Sequence, residues 1–223
     1  VSENKGTVKA FEYKEEYLKF QLGYLKDISN LNIALDVSNG MAGMFIKDIL
    51  GNQPHYIFDD IDCTFPNHEA NPLDPVNVVD LQNLVKKTKA DIGVIFDGDA
   101  DRVMFVDENS RFISPDLIIA LLGHHFLKYA KPGTRVLQDI RTSKAVGEYL
   151  SQYKVEMHMW RVGRAFAALK LKEIDGLFGG ELAGHYYFKD FYYSDSGLLA
   201  AILVLNIVSR MKKKGLSLSQ LIS

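Results

Sequence analysis

Asp97, Asp99 and Asp101 occupy alternate positions in DGDADR, directly after the apolar run ADIGVIF. On an extended chain, side chains two residues apart point the same way, so three carboxylates converge there. Unpaired, they repel one another. A hard cation with oxygen ligands resolves that conflict, and magnesium is the usual one. Gly98 and Ala100 are small enough to let the backbone curl around an ion. Arg102 follows at once, in place to hold a phosphate beside the metal.

Other readings of this segment compete. A solvated acidic turn does not need three carboxylates in register. In a calcium loop of the EF-hand kind, Asp97, Asp99 and Asp101 would fill positions one, three and five and Glu108 position twelve; but position six, which should be glycine, is Arg102, and the flanks read as strands. A haloacid-dehalogenase-like phosphatase places an Asp-x-Asp pair after an apolar strand, as Asp97 and Asp99 do, with Asp97 as nucleophile. That pattern wants threonine or valine where Asp101 stands.

Three further segments carry polar chemistry. GGELAGH, Gly179 to His185, packs glycines around one acid and one imidazole. Glycine allows close backbone approach to a ligand, a carboxylate such as Glu181 accepts from adjacent sugar hydroxyls, and His185 can donate to phosphate or move protons near neutral pH. DIRTSK, Asp139 to Lys144, brings Arg141 and Lys144 to a strand-to-helix junction, where backbone N–H groups favour an anion. RVGRAF does the same with Arg161, Gly163 and Arg164. Taken singly, each basic residue is also what a solvated loop carries. Their recurrence at successive strand ends matches the edge where open α/β sheets bind ligands. A non-catalytic module binding sugar phosphates through Glu181 and Arg141 is compatible with the same residues.

The elements that must position these groups alternate. LNIALDV reads as a strand ending at the turn Ser38-Asn39-Gly40, with a helix from Met41 to Leu50. His55 to Phe58 is a strand, and FPNHEANPLDP, with three prolines, is a loop. Asn77 is expected to cap a helix over VVDLQNLVKKTK. ADIGVIF and VMFV are strands around the acidic turn. A second block opens at Ser114-Pro115 with a helix to Tyr129, then a strand (135–138), a helix (142–153), a strand (155–160), a helix (163–172), two short strands around GGELAGH and YYF, and a helix over 197–213. This alternation predicts an α/β fold: two tandem mixed α/β domains, 1–110 and 111–223, with largely parallel sheets flanked by helices. The blocks share an order of elements without a convincing sequence repeat.

The 223 residues are 47% hydrophobic and 24% charged with net charge −2, so no global basic field calls for nucleic acid. Cys63 is the sole cysteine, which excludes an internal disulfide and favours a reducing cytoplasm. The longest apolar stretch, Leu198 to Val208, is interrupted by Asn206 and is shorter than the roughly 20 residues of a membrane span. The chain starts on Val1 without methionine and ends on the apolar LSLSQLIS, so both ends are expected to be cut from something longer.

DVSNGMAG, FPNHEANP, FDGDADR, RVGRAF and GGELAGH, in that order, resemble the central part of the α-D-phosphohexomutases, which include phosphomannomutase/phosphoglucomutase and phosphoglucosamine mutase. The resemblance covers nearly the whole chain and implies the fold of that family's domains two and three. It implies a parent isomerase interconverting hexose 1-phosphate and hexose 6-phosphate of mannose or glucose, through a phosphoserine and a hexose 1,6-bisphosphate. By resemblance Asp97, Asp99 and Asp101 ligate Mg2+ and Arg102 lies beside the phosphoserine. Glu181 binds the 3- and 4-hydroxyls of the sugar, and His185 sits at the reacting centre. Arg141, Gly163 and Arg164 handle substrate phosphate and ring. The family's phosphoserine segment, of the Ser-His-Asn-Pro type, and its phosphate-clamping Arg-x-Ser-Gly-Thr segment do not occur here. Domains one and four are therefore the implied partners, and the isolated chain is expected to be inactive. Ala183 stands where the family's sugar loop has serine, and Arg164 where histidine is common. Leu182, where phosphoglucosamine mutases carry glutamine, leans toward a hexose.

Overall fold

The computed structural model describes residues 6–223; Val1, read above as a cut end, lies outside them. The first block runs α1 (Lys14–Tyr24), β1 (Ile33–Asp36), α2 (Ile46–Leu50), β2 (His55–Ile57), α3 (Val79–Thr88), β3 (Ile92–Phe96), β4 (Val103–Asp107) and β5 (Phe112–Ile113). The second runs α4 (Pro115–Leu127), β6 (Arg135–Asp139), α5 (Lys144–Leu150), β7 (Glu156–Trp160), α6 (Arg164–Glu173), β8 (Phe178–Gly180), β9 (Tyr186–Phe188), α7 (Gly197–Lys212) and α8 (Leu218–Leu221).

The sheets have the orders β2-β1-β3-β4-β5 and β7-β6-β8-β9. Each is parallel through its first three strands and antiparallel from there on. The two blocks thus repeat one topology that sequence identity hides, and β3–β4 corresponds to β8–β9. Every residue of β3 and β4 is buried, because helices cover both faces; hence their unbroken apolar runs rather than alternation. The division between residues 110 and 111 falls in the turn joining β4 to β5, and β5 pairs with the first sheet.

Several local expectations change. The 41–50 helix is a 3₁₀ turn, Met41–Met44, then α2, separated where Phe45 leaves helical geometry at φ −130°. Asn77 does not cap α3. It lies inside a 3₁₀ turn, Pro75–Val78, capped by Asp74, and its side chain donates to the Asn71 carbonyl at 2.9 Å. Ser114 makes no side-chain cap bond to α4. The 142–153 helix begins at Lys144, capped by the Ser143 hydroxyl, and ends in a 3₁₀ turn.

One hydrophobic cluster joins the blocks, running from Ile33, Leu35 and Phe105 through Leu122 and Phe178 to α7. Helix α7 is buried along Leu198 to Leu205 and again at Ile207 and Val208. Each of its Leu, Ile and Val side chains contributes roughly 1.5–3 kcal/mol when fully covered. Its interruption, Asn206, clasps the end of α1: Asn206 Nδ2 donates to the Tyr24 carbonyl at 2.8 Å and its Oδ1 accepts from Lys26 N–H at 2.9 Å. Among the described residues, no helix is long and apolar enough to cross a membrane.

Candidate active site between two hairpin turns

The turns β3–β4 and β8–β9 meet head to head. Arg102 and His185 form an antiparallel bridge, and Val103 N–H donates to the Gly184 carbonyl at 3.2 Å. The acidic turn and the GGELAGH turn are therefore hydrogen-bonded neighbours, although they belong to different sheets. Gly184 takes φ +89°, and a Cβ there would meet the Met104 side chain at 2.9 Å. Glycine alone suits both the conformation and the close approach.

Carboxylate oxygens of Asp97, Asp99 and Asp101 lie within 4.8 Å of one another. Asp97 is buried and accepts twice from Arg102, from its backbone N–H at 3.1 Å and from Nε at 2.6 Å. Arg102 Nη1 also donates to Asn71 Oδ1 at 3.2 Å, so the FPNHEANP loop steadies this arginine. The rest of that loop braces the preceding turn: Asn67 Nδ2 donates to Asn39 Oδ1, and His68 pairs with buried Asp36 at 3.2 Å. Burial pushes the Asp101 carboxyl up to about 7, against the pull of His185 and with the help of Asp97, Asp99 and Asp195. Arg102 is the one cationic side chain hydrogen-bonded to the three carboxylates among the described residues, and all the convergent ligand atoms are hard oxygens. The set fits a divalent cation of the magnesium type. The calcium-loop reading does not hold, because Glu108 faces away and accepts from Ser219 N–H at 3.1 Å.

The second turn supplies the other groups. Glu181 is 2% exposed, and its Oε1 accepts from Gly163 N–H at 3.1 Å. Burial raises its carboxyl above the usual range, while that N–H eases it. Gly163, at φ +125°, caps α6 with its backbone amide aimed at Glu181. Asp139, at the end of β6, receives Arg141 Nη2 at 2.9 Å and Leu182 N–H at 3.2 Å on one oxygen, which ties Arg141 to the turn. Ala183 sits half-buried in the turn.

A residue missed in the sequence reading lies at the centre. Asp195, buried just before α7, accepts from His185 Nδ1 at 2.7 Å and from Arg164 Nε at 2.8 Å. Asp101 lies 3.7 Å from His185 Nδ1 and 3.8 Å from Arg164 Nε. Burial lowers the His185 imidazole, but Asp195 and Asp101 outweigh it and the net shift is upward. The sequence signal was slight, a single acid in YYSDSG ahead of an apolar helix. Asp97, Asp99, Asp101, Arg102, Arg141, Gly163, Arg164, Glu181, Ala183 and His185 lie on these two turns and the strand ends beside them; Arg161 instead stacks its guanidinium on the Phe166 ring, and Lys144 opens α5. The cavity between α4, α5 and α7, lined by Leu117, His124, Tyr149 and Arg210, contains none of them.

Two consecutive family models match this chain: phosphoglucomutase/phosphomannomutase α/β/α domain II over residues 12–110 and domain III over 114–223. The chain belongs to the phosphoglucomutase/phosphomannomutase family. It is similar to a phosphoglucomutase of Neisseria meningitidis, 32% identical over 93% of this chain and 46% of the relative. A phosphomannomutase of Methanocaldococcus jannaschii is 37% identical, again over 93% of this chain and 46% of the relative. A crystal structure of a phosphoglucomutase/phosphomannomutase family protein from Burkholderia thailandensis superposes with a TM-score of 0.81 at 30% identity, over 90% of this chain and 44% of that one. The chain thus spans about half the length of the family members it matches.

Proposed function

We propose that this chain forms the cation- and sugar-binding half of a mutase that interconverts hexose 1-phosphate and hexose 6-phosphate, with mannose or glucose as the hexose. The observation that carries this reading is the bridge between the two hairpin turns, which sets three convergent carboxylates beside Glu181 and His185. Asp97, Asp99 and Asp101 would hold Mg2+, which supplies charge neutralisation during phosphoryl transfer. Arg102, hydrogen-bonded to Asp97, holds its guanidinium beside that position, and Arg164 and Arg141 offer unspent N–H groups to phosphate. Glu181 accepts from sugar hydroxyls, and Gly163 leaves room at the ring. Ala183 offers the sugar no hydroxyl, so Glu181 carries more of the recognition. A mutase of Aspergillus fumigatus has been crystallised with GlcNAc-6P and magnesium, and a serine-to-alanine variant of it with glucose 1,6-bisphosphate. We extend the same ligand chemistry, a hexose phosphate with a divalent cation, to this chain. The phosphoryl-carrying serine and the phosphate clamp are assigned to domains one and four as partners. A cytoplasmic setting suits the free, exposed Cys63.

Titration with Mn2+, followed by electron paramagnetic resonance, tests the reading. The chain should bind one equivalent, and Asp99→Asn, at an exposed ligand position, should weaken binding at least tenfold without unfolding the protein. Binding that survives in Asp99→Asn and Asp101→Asn alike would remove the carboxylate trio from the mechanism. Assayed alone, the chain should show no glucose 1-phosphate isomerisation; turnover by it would overturn the division of labour between domains.

A further inference from the structure

The geometry points to Asp195 as a positioning residue that sets which atoms of His185 and Arg164 face the ligand; the inference rests on the functional reading above. Asp195 is 4% exposed and uses one oxygen for each partner, Oδ2 for His185 Nδ1 and Oδ1 for Arg164 Nε. Both bonds fall on the nitrogen nearer the backbone. The outer nitrogens, His185 Nε2 and Arg164 Nη1 and Nη2, make no hydrogen bond among the described residues.

A carboxylate only accepts, so Nδ1 of a neutral His185 must carry the ring proton. Nε2 is then a bare acceptor, suited to a ligand hydroxyl rather than to a phosphate oxygen. Arg164 keeps the planar edge that grips phosphate bidentately. The alternative partner for both is Asp101, 3.7 Å from one and 3.8 Å from the other. By engaging them first, Asp195 keeps the imidazole N–H and the guanidinium off a carboxylate of the acidic turn. Its own position is secured: Ser196, next in the chain, caps α7 by accepting from Leu199 N–H at 3.1 Å, and Gly197 N–H donates to the Ala100 carbonyl at 3.2 Å. The start of the most buried helix thus carries the carboxylate that orients both side chains.

The isosteric variant Asp195→Asn gives a sharp test. An amide has one acceptor oxygen, and arginine can only donate, so Arg164 takes that oxygen. The amide NH2 then faces His185 Nδ1, which has to accept, and the ring proton moves to Nε2. Nitrogen-15 NMR of the imidazole at a pH where the ring is neutral should find the Nδ1–H form in the wild type and the Nε2–H form in Asp195→Asn. A Nε2–H form in the wild type overturns the inference, with or without any variant. Calorimetric titration with glucose 1,6-bisphosphate and Mg2+ is the second readout. Asp195→Asn should raise Kd about tenfold, the loss of one charge-assisted contact, and Asp195→Glu should recover part of it. An unchanged Kd together with a lowered melting temperature would reduce Asp195 to a structural role. If the wild-type chain fails to bind the bisphosphate at all, the functional reading falls, and the tautomer alone decides the role of Asp195.

Discussion

Asp139 shows how a single carboxylate organises a neighbourhood. It accepts from Arg141, from Leu182 N–H, and from Thr142 through both N–H at 2.7 Å and hydroxyl at 3.0 Å. Burial alone would raise its carboxyl, but Arg141 and Thr142 outweigh burial and hold it below its ordinary value of 3.8. A depressed carboxyl stabilises the fold above its unfolded value, and that stability is lost as pH falls through the folded value. Thermal unfolding should therefore lose stability below about pH 4, and Asp139→Asn should flatten that acid limb while costing about 1–3 kcal/mol at neutral pH. An acid limb identical in the variant would assign the loss to other groups. At this scale the sequence was informative where chemistry is local. Three acids at alternate positions after an apolar strand reveal themselves, as do Glu181 and His185 within one glycine-rich segment. Asp195 did not, because its partners lie 10 and 31 residues away and only folding joins them.

The elements divide in the same way. Strands β3 and β4 were legible as apolar runs, but α1 was not. Its inward positions, Tyr17, Leu18, Gln21 and Tyr24, have helical spacing, yet one in their midst is a glutamine, fully buried in the structure. A polar residue at the middle of an apolar face erases the periodic signal. Strand β5 spans only Phe112–Ile113, too short for any pattern. The element most exposed to test is the start of α7. A Cβ on Gly197 would lie 2.7 Å from the Ala100 carbonyl and 2.9 Å from that of Arg102. Both are backbone atoms of the acidic turn and cannot swing aside. Gly197→Ala should cost about 1–3 kcal/mol by overpacking and should weaken Mn2+ binding by displacing that turn, although it removes no ligand. Gly215→Ala, at an open position with φ +79°, should cost stability while leaving Mn2+ affinity unchanged. Equal loss of affinity in both variants would mean that general destabilisation, not the turn, is responsible.

The whole molecule was expected to be two domains in tandem, and the shared topology agrees with that reading. What the periodicity did not reveal is the common core. Leu198 to Leu205 are apolar on every side of the helix because both blocks pack on it. Unfolding monitored in the two sheets should therefore coincide. Leu205→Ala, at a site with no exposed surface, should cost about 2–5 kcal/mol and lower both transitions together. Separate midpoints for tryptophan fluorescence, reporting Trp160 in β7, and for hydrogen exchange in β3 would show that the blocks are independent.

The clasp between Asn206 and the end of α1 also governs the order of events as the chain folds. Its partners, Tyr24 and Asn206, are separated by 182 residues. Helix α1 and the first sheet are made well before α7, the helix against which they pack. Loop-closure entropy has to be met before that contact yields anything in return. Until then Phe105 and its neighbours on β4 lack the cover that α7 gives them. The first block passes through a stage in which it is open to self-association, and the growing chain leaves that stage only when residue 208 has cleared the machinery that makes it.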